Sequence, residues 1–142
     1  LTYGVETYKP EYTIDFATLT GACVVALGDR YAGLMGNNEA LISKIKKSGD
    51  KTEELAWELP IHDDFREGMK GVVSDLRNID NGTSSLAGTS KAAAFLENFV
   101  KKAKWAHLDI AGVAYNEKPK AIDFPRATGY GVRMMIDFLE NC

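Results

Sequence analysis

Two short alternating stretches constrain the fold of this chain more than any other feature. In residues 12–18, Tyr12, Ile14 and Phe16 alternate with Thr13, Asp15 and Ala17. In residues 105–112, Ala106, Leu108 and Ile110 alternate with Trp105, His107, Asp109 and Ala111. A period of two puts successive side chains on opposite faces of a strand. Each stretch runs out into small residues, "ATLTG" and "DIAGVA". Helical patterns separate them, and strands alternating with helices point to an α/β fold with a largely parallel sheet.

The helical patterns are as follows. The start, "LTYGVETYKP", reads as the last turns of a helix ending near Lys9-Pro10, so a piece of a larger protein is expected. A helix is expected from Thr20 to Gly28, with Ala22, Val25 and Ala26 on one face. "YAGLMG" at 31–36 is a second strand candidate, followed by an amphipathic helix over 39–47 with Leu41, Ile42 and Ile45 inward, closed by residues 48–50. The pattern predicts a further helical piece over 53–58, halted near Pro60. Asp64 with Glu67 resembles a capping box opening a helix over 65–70. Residues 78–90 read as loop by composition. A helix over 91–101 carries the stripe Ala92, Phe95, Leu96, Phe99 and Val100, and a long loop holds Pro119 and Pro125. The terminal helix places Val132, Met135, Ile136 and Leu139 at i, i+3, i+4 and i+7.

At 142 residues the chain is long enough for one domain with a sizeable core. A net charge of −3, with no long run of either sign, leaves no electrostatic footprint for nucleic acid or anionic lipid. No apolar run reaches membrane-spanning length, and the first ten residues lack the n- and h-regions of a signal peptide. Cys23 and Cys142 are far apart, and Cys23 sits in an apolar run; a disulfide framework is not expected, and a reducing, cytoplasmic setting fits.

In open α/β sheets, ligands bind beyond the carboxyl ends of strands. The ends "ATLTG" and "DIAGVA" could therefore form a substrate wall, with Thr18 and Thr20 adding hydroxyls; the plainer reading, which residue pattern alone favours, is that Gly21 opens a tightly packed helix. A phosphate loop does not fit, because Gly82 to Lys91 has neither the spacing nor the Lys-before-hydroxyl order, and "GYG" at 129–131 is no dinucleotide fingerprint. His107, Asp109 and Asp15 raise the question of a metal or acid–base site. Metal sites need three or four ligands, His62 lies in a separate turn region, and such residues on a strand are more often satisfied by backbone hydrogen bonds. There is no GxSxG elbow and no HExxH, and neither cysteine has the setting of a nucleophile.

The blocks "IDFATLTGACVVALG", "AGLMGNN", "WELP", "AGTSKAAAFLENFV", "WAHLDIAGVAY" and "ATGYGVR" follow one another over nearly the whole chain. In that order they resemble the C-terminal portion of the catalytic domain of the leucyl aminopeptidase family. The resemblance implies a central mixed, largely parallel sheet flanked by helices, with residues 1–142 forming an incomplete zinc-peptidase-like domain. It implies removal of N-terminal, leucine-like residues from peptides, a pair of divalent ions (zinc or manganese) that polarise the scissile carbonyl and generate a hydroxide, and a homo-hexamer. It implies that Leu19 offers its carbonyl and Gly21 its amide to substrate. Thr18 and Gly21 would line the S1 pocket, and Ala111 and Ala114 another part of it. The family's Asn-Thr-Asp-Ala-Glu-Gly-Arg metal signature, the catalytic lysine and the bicarbonate-positioning arginine belong at or upstream of the helix on which this chain begins. None is present in the sequence, so no metal ligand and no catalytic group is assigned here. The expectation is a segment that needs the missing N-terminal part of the same protein, is inactive alone, and exposes part of a sheet edge that invites association. The alternative is a non-catalytic scaffold or interaction module of the same fold.

Overall fold

The computed structural model describes residues 1–79, 86–116 and 126–142. The loop expected around Gly82 falls partly outside them, and Pro119 and Pro125 lie wholly outside. In chain order the elements are α1 (Thr2–Tyr8), β1 (Tyr12–Ala17), α2 (Gly21–Leu27), β2 (Ala32–Gly36), α3 (Glu39–Thr52) and β3 (Ala56–Glu58). They continue with α4 (Asp63–Gly68), α5 (Gly88–Glu97), β4 (Lys104–Asp109), β5 (Tyr115–Asn116), β6 (Arg126–Ala127) and α6 (Val132–Glu140).

The main sheet has the order β1-β4-β2-β3. β1 and β4 are parallel, β2 and β3 are parallel, and β2 runs antiparallel to β4. This is the mixed, largely parallel sheet that was expected, with helices on both faces. β1 is an edge strand of this sheet. The β1–β4 register, Tyr12 against Lys104 through Ala17 against Asp109, brings both strands to their carboxyl ends side by side.

Alternation decides what each face holds. Tyr12, Ile14, Phe16, Leu34, Ala106 and Leu108 face α3 and α6, where Leu41, Ile42, Ile45, Met134 and Phe138 complete an apolar core. The opposite face carries Trp105, His107 and Asp109 of β4 with Met35 of β2, under α2 and α5. Thr20 starts α2 as its N-cap, its hydroxyl accepting from Cys23 N at 3.1 Å, which satisfies an amide that the first helical turn leaves free. Asn38 does the same for α3 through Leu41 N at 2.9 Å.

Several local expectations are overturned. Residues 53–58 are not helical: α3 continues to Thr52 instead of closing at 48–50, Glu53 adopts a left-handed conformation, and Ala56–Glu58 pair with β2. The cause is tertiary. Buried Glu54 accepts from Met134 N at 2.7 Å and sits against Arg133, so its carboxylate caps the N-terminus of α6, where a negative charge is favoured. The hydroxyl of Tyr130 donates to Leu55 O at 2.9 Å and pins the same segment. Gly131 at the start of α6 has φ 93°, and a Cβ there would lie 2.6 Å from the Phe16 ring, so only glycine fits. α4 starts earlier than expected and is capped by His62, whose Nδ1 accepts from Asp64 N at 3.2 Å, not by the box of Asp64 and Glu67.

The stripes of three helices also differ. On α2 it is Cys23 that is buried, while Val25 is 89% exposed. On α6 Met134 and Phe138 turn inward, while Val132, Ile136 and Leu139 face outward. α5 runs from Gly88 instead of 91 and ends at Glu97; it buries Thr89, Ser90, Ala93 and Ala94, leaving Phe95 and Leu96 half-buried. Size explains the choice: α2 and α5 approach the sheet through small side chains, while Met134 and Phe138 of α6 fill the apolar core with Leu41, Ile42 and Ile45 of α3.

Candidate functional site

The two strand ends singled out in the sequence meet in space. Ile110 N donates to Ala17 O at 2.9 Å, extending the parallel ladder one residue past β4. From there the chain segments 18–21 and 111–114 leave the same edge of the sheet next to each other. Thr18, Leu19 and Gly21 are exposed, whereas Ala111 and Ala114 are half-buried. The segment after β4 is a tight turn, with Val113 N and Ala114 N both donating to Ile110 O at 3.1 and 2.9 Å. Thr128, from the "ATGYGVR" block, holds it from behind, its hydroxyl on Val113 O at 2.7 Å and its amide on Ala114 O at 3.0 Å.

Gly112 is where this turn touches the end of α2. A Cβ there would lie 2.0 Å from Gly28 O, so the two segments approach as closely as bare backbone allows. Below the rim, Asp109 is fully buried. Its Oδ1 accepts from Leu19 N at 3.1 Å and from Ala111 N at 3.2 Å, and its Oδ2 from the Thr20 hydroxyl at 2.6 Å. Thr20 lies 3.0 Å from the hydroxyl of Thr89 at the start of α5. Sequence reading treated Thr20 as a wall hydroxyl and Asp109 as a strand residue satisfied by backbone. It missed that one carboxylate joins the two ends. A Thr three residues past a strand and just before a glycine-led helix is an N-cap signal, but nothing local pairs it with a residue 89 positions on.

One residue pair deeper, His107 Nδ1 and Asp15 Oδ1 lie 2.6 Å apart, and Trp105 Nε1 donates to Asp15 Oδ2 at 2.7 Å. The Trp105 and His107 rings stack at 6.3 Å. His107 and Asp109 share a strand face, as the alternation required, yet each is engaged elsewhere: His107 on Asp15, and Asp109 on the rim. His62 sits at the start of α4, exposed. Among the described residues no three His, Cys, Asp or Glu side chains come together as a metal-holding group, so these donor sets do not fit a resident metal pair. Cys23 is buried beside Asp109 O, and burial first, then the charge of Asp109, pushes its thiol up to about 11. It is a packing residue, not a nucleophile.

This geometry defines an α/β domain whose small-residue rim lies at the carboxyl edge of two neighbouring parallel strands. The model of the cytosol aminopeptidase family, catalytic domain, matches residues 1–136, and the chain belongs to that family. It is 50% identical over 134 residues to a probable cytosol aminopeptidase of Geobacter sp. (strain M21), covering 94% of this chain and 27% of that protein. A probable cytosol aminopeptidase of Cenarchaeum symbiosum (strain A) is 46% identical, covering 99% and 29%. One of Rickettsia bellii (strain OSU 85-389) is 43% identical, covering 98% and 28%. The chain thus spans less than a third of the length of these relatives. Among the described residues no helix is long and apolar enough to cross a membrane.

Proposed function

We propose that the complete protein removes N-terminal, leucine-like residues from peptides, and that this chain contributes one wall of the pocket for the first side chain. The observation that carries the reading is the meeting of "ATLTG" and "DIAGVA" on adjacent parallel strands. Small side chains at Gly21, Ala111 and Ala114 leave room for a branched aliphatic group, and an apolar pocket needs few charges. With its amide held by Asp109, Leu19 would offer its carbonyl to a substrate amine, and the Gly21 amide opens α2. Thr18 borders the same space.

The resemblance gives the complete protein two divalent ions, zinc or manganese, as the source of its hydrolytic chemistry. Their ligands are proposed to lie upstream of α1, where the resemblance puts the family's metal signature. A homo-hexamer working in the cytosol, and completion of this domain by the preceding part of the same protein, belong to the same proposal. The test is an assay of the complete protein on leucine, alanine and lysine p-nitroanilides, with and without a chelator and added zinc or manganese. Metal-dependent hydrolysis with leucine preferred is the expected result. No hydrolysis under any metal condition would leave the scaffold alternative standing.

A further inference from the structure

Asp109 uses its carboxylate in an unusual way for a buried residue. A carboxylate taken out of water is costly unless donors surround it, and an apolar side chain would fill the end of β4 without that cost. The three donors it meets all belong to the rim. One oxygen takes an amide from each of the two segments, Leu19 N at 3.1 Å and Ala111 N at 3.2 Å. The other takes the Thr20 hydroxyl at 2.6 Å, and Thr20 in turn caps α2 and meets Thr89 of α5. An ionised carboxylate is acceptor-only with two oxygens, so it can bridge donors that neither an amide nor a hydroxyl could bridge as strongly. Remove it, and two loop amides lose their shared anchor while the strands beneath remain paired.

We infer that Asp109 is a positioning residue for side-chain selectivity: it sets the spacing between the wall made by Thr18, Leu19 and Gly21 and the wall made by Ala111 and Ala114. The inference rests on the proposed aminopeptidase reading, because it assigns those two walls to one pocket. Asp109 itself is buried below the rim and acts through Leu19, Thr20 and Ala111.

The experiment is steady-state kinetics of the complete protein on leucine and alanine p-nitroanilide for the wild type and four variants. Asp109→Ala removes both oxygens, and leucine kcat/KM is expected to fall about 10²-fold, as misplaced binding groups do. Most of that fall should appear in KM, because the wall binds ground state and transition state alike. The alanine substrate, which does not reach the far wall, should fall less. Asp109→Asn keeps an oxygen for Leu19 N and Ala111 N but puts an amide NH2 where Oδ2 accepts the Thr20 hydroxyl, so it is expected to lose leucine selectivity by about tenfold, short of the loss in Asp109→Ala. Thr20→Val, isosteric, removes the hydroxyl's bond to Asp109 together with the α2 cap and the contact with Thr89; leucine selectivity should fall by about tenfold from the lost bond to the carboxylate, and Thr20→Ser restores it.

Leucine selectivity lost in Asp109→Ala and lost to a clearly smaller degree in Asp109→Asn establishes the positioning role. If Asp109→Ala does not fold, loss in Thr20→Val with rescue in Thr20→Ser establishes it. Unchanged selectivity in a folded Asp109→Ala, or in Thr20→Val, overturns it. So does an Asp109→Asn variant as impaired as Asp109→Ala, which would make the charge itself essential. A wild-type protein inactive on both substrates overturns the aminopeptidase reading and this inference together; an active one whose variants keep their selectivity overturns this inference alone.

Discussion

The two faces of the β1–β4–β2 sheet are built on different principles. Toward α3 and α6 the strands present Tyr12, Ile14, Phe16, Leu34, Ala106 and Leu108, and the helices answer with Leu41, Ile45, Met134 and Phe138. Toward α2 and α5 the same strands bury Asp109 and His107, with half-buried Asp15 beside them. The first face gains stability from area removed from water. The second face devotes part of its burial to hydrogen-bonded polar groups, which add little net stability when satisfied but are costly to strand. What the second face gains is position: its polar groups hold the Leu19 and Ala111 amides at the rim. Substitutions on the apolar face should therefore cost stability alone, whereas on the polar face those that free the rim amides should cost selectivity and those beneath the rim that strand a buried donor should cost stability.

The largest effect is expected on the apolar face. Leu108→Ala, at a position with no exposed surface, should cost about 2–5 kcal/mol of stability while the ratio of leucine to alanine hydrolysis stays as in wild type. Chemical denaturation and paired kinetics measure the two quantities. On the polar face, Asp15→Ala leaves His107 Nδ1 and Trp105 Nε1 without their acceptor. A loss of about 1–3 kcal/mol is expected, with Asp15→Asn intermediate; equal stability of all three proteins would dissolve the contrast.

Gly112→Ala sharpens the comparison at the rim, since the added Cβ would force the turn away from Gly28 O. Leucine kcat/KM should fall about tenfold, equivalent to about 1.4 kcal/mol. Cys23 gives the smallest effect. Its thiol is neutral in both states below pH 9.0, the ordinary value, whereas above it the unfolded chain releases a proton that the folded chain keeps until about 11. Stability should therefore decline from pH 9 to 11, with a shallower decline in Cys23→Ala. Under native conditions at neutral pH, iodoacetamide should modify exposed Cys142 and spare Cys23, as mass spectrometry of the peptides would reveal.

Much of this fold was legible in the residues because alternation is a strong signal. It gave β1, β4 and the partition of their faces, and a broad apolar stripe gave the inner side of α3. What failed were the places where a distant partner decides. Residues 53–58 have a helical composition, but Glu54 is claimed by the N-terminus of α6 and Trp57 by the ladder with Gly33. On α2 and α6 the more apolar stripe faces outward, because the fit against the sheet is set by the volumes of Cys23, Met134 and Phe138. The rim was legible as two runs of small residues. Their junction through Asp109 was not, since it joins positions 89 and 90 residues apart and depends on the parallel register of β1 with β4.

The account stands on the claim that the rim of "ATLTG" and "DIAGVA" encloses the first side chain of a peptide. Thr18 is exposed, so Thr18→Leu can fill that space without disturbing the core. In the complete protein, the ratio of kcat/KM for leucine p-nitroanilide to that for alanine p-nitroanilide should drop about 10- to 100-fold in this variant, the range that extra methylenes in an apolar pocket produce. An unchanged ratio would place the substrate's side chain elsewhere and contradict the account.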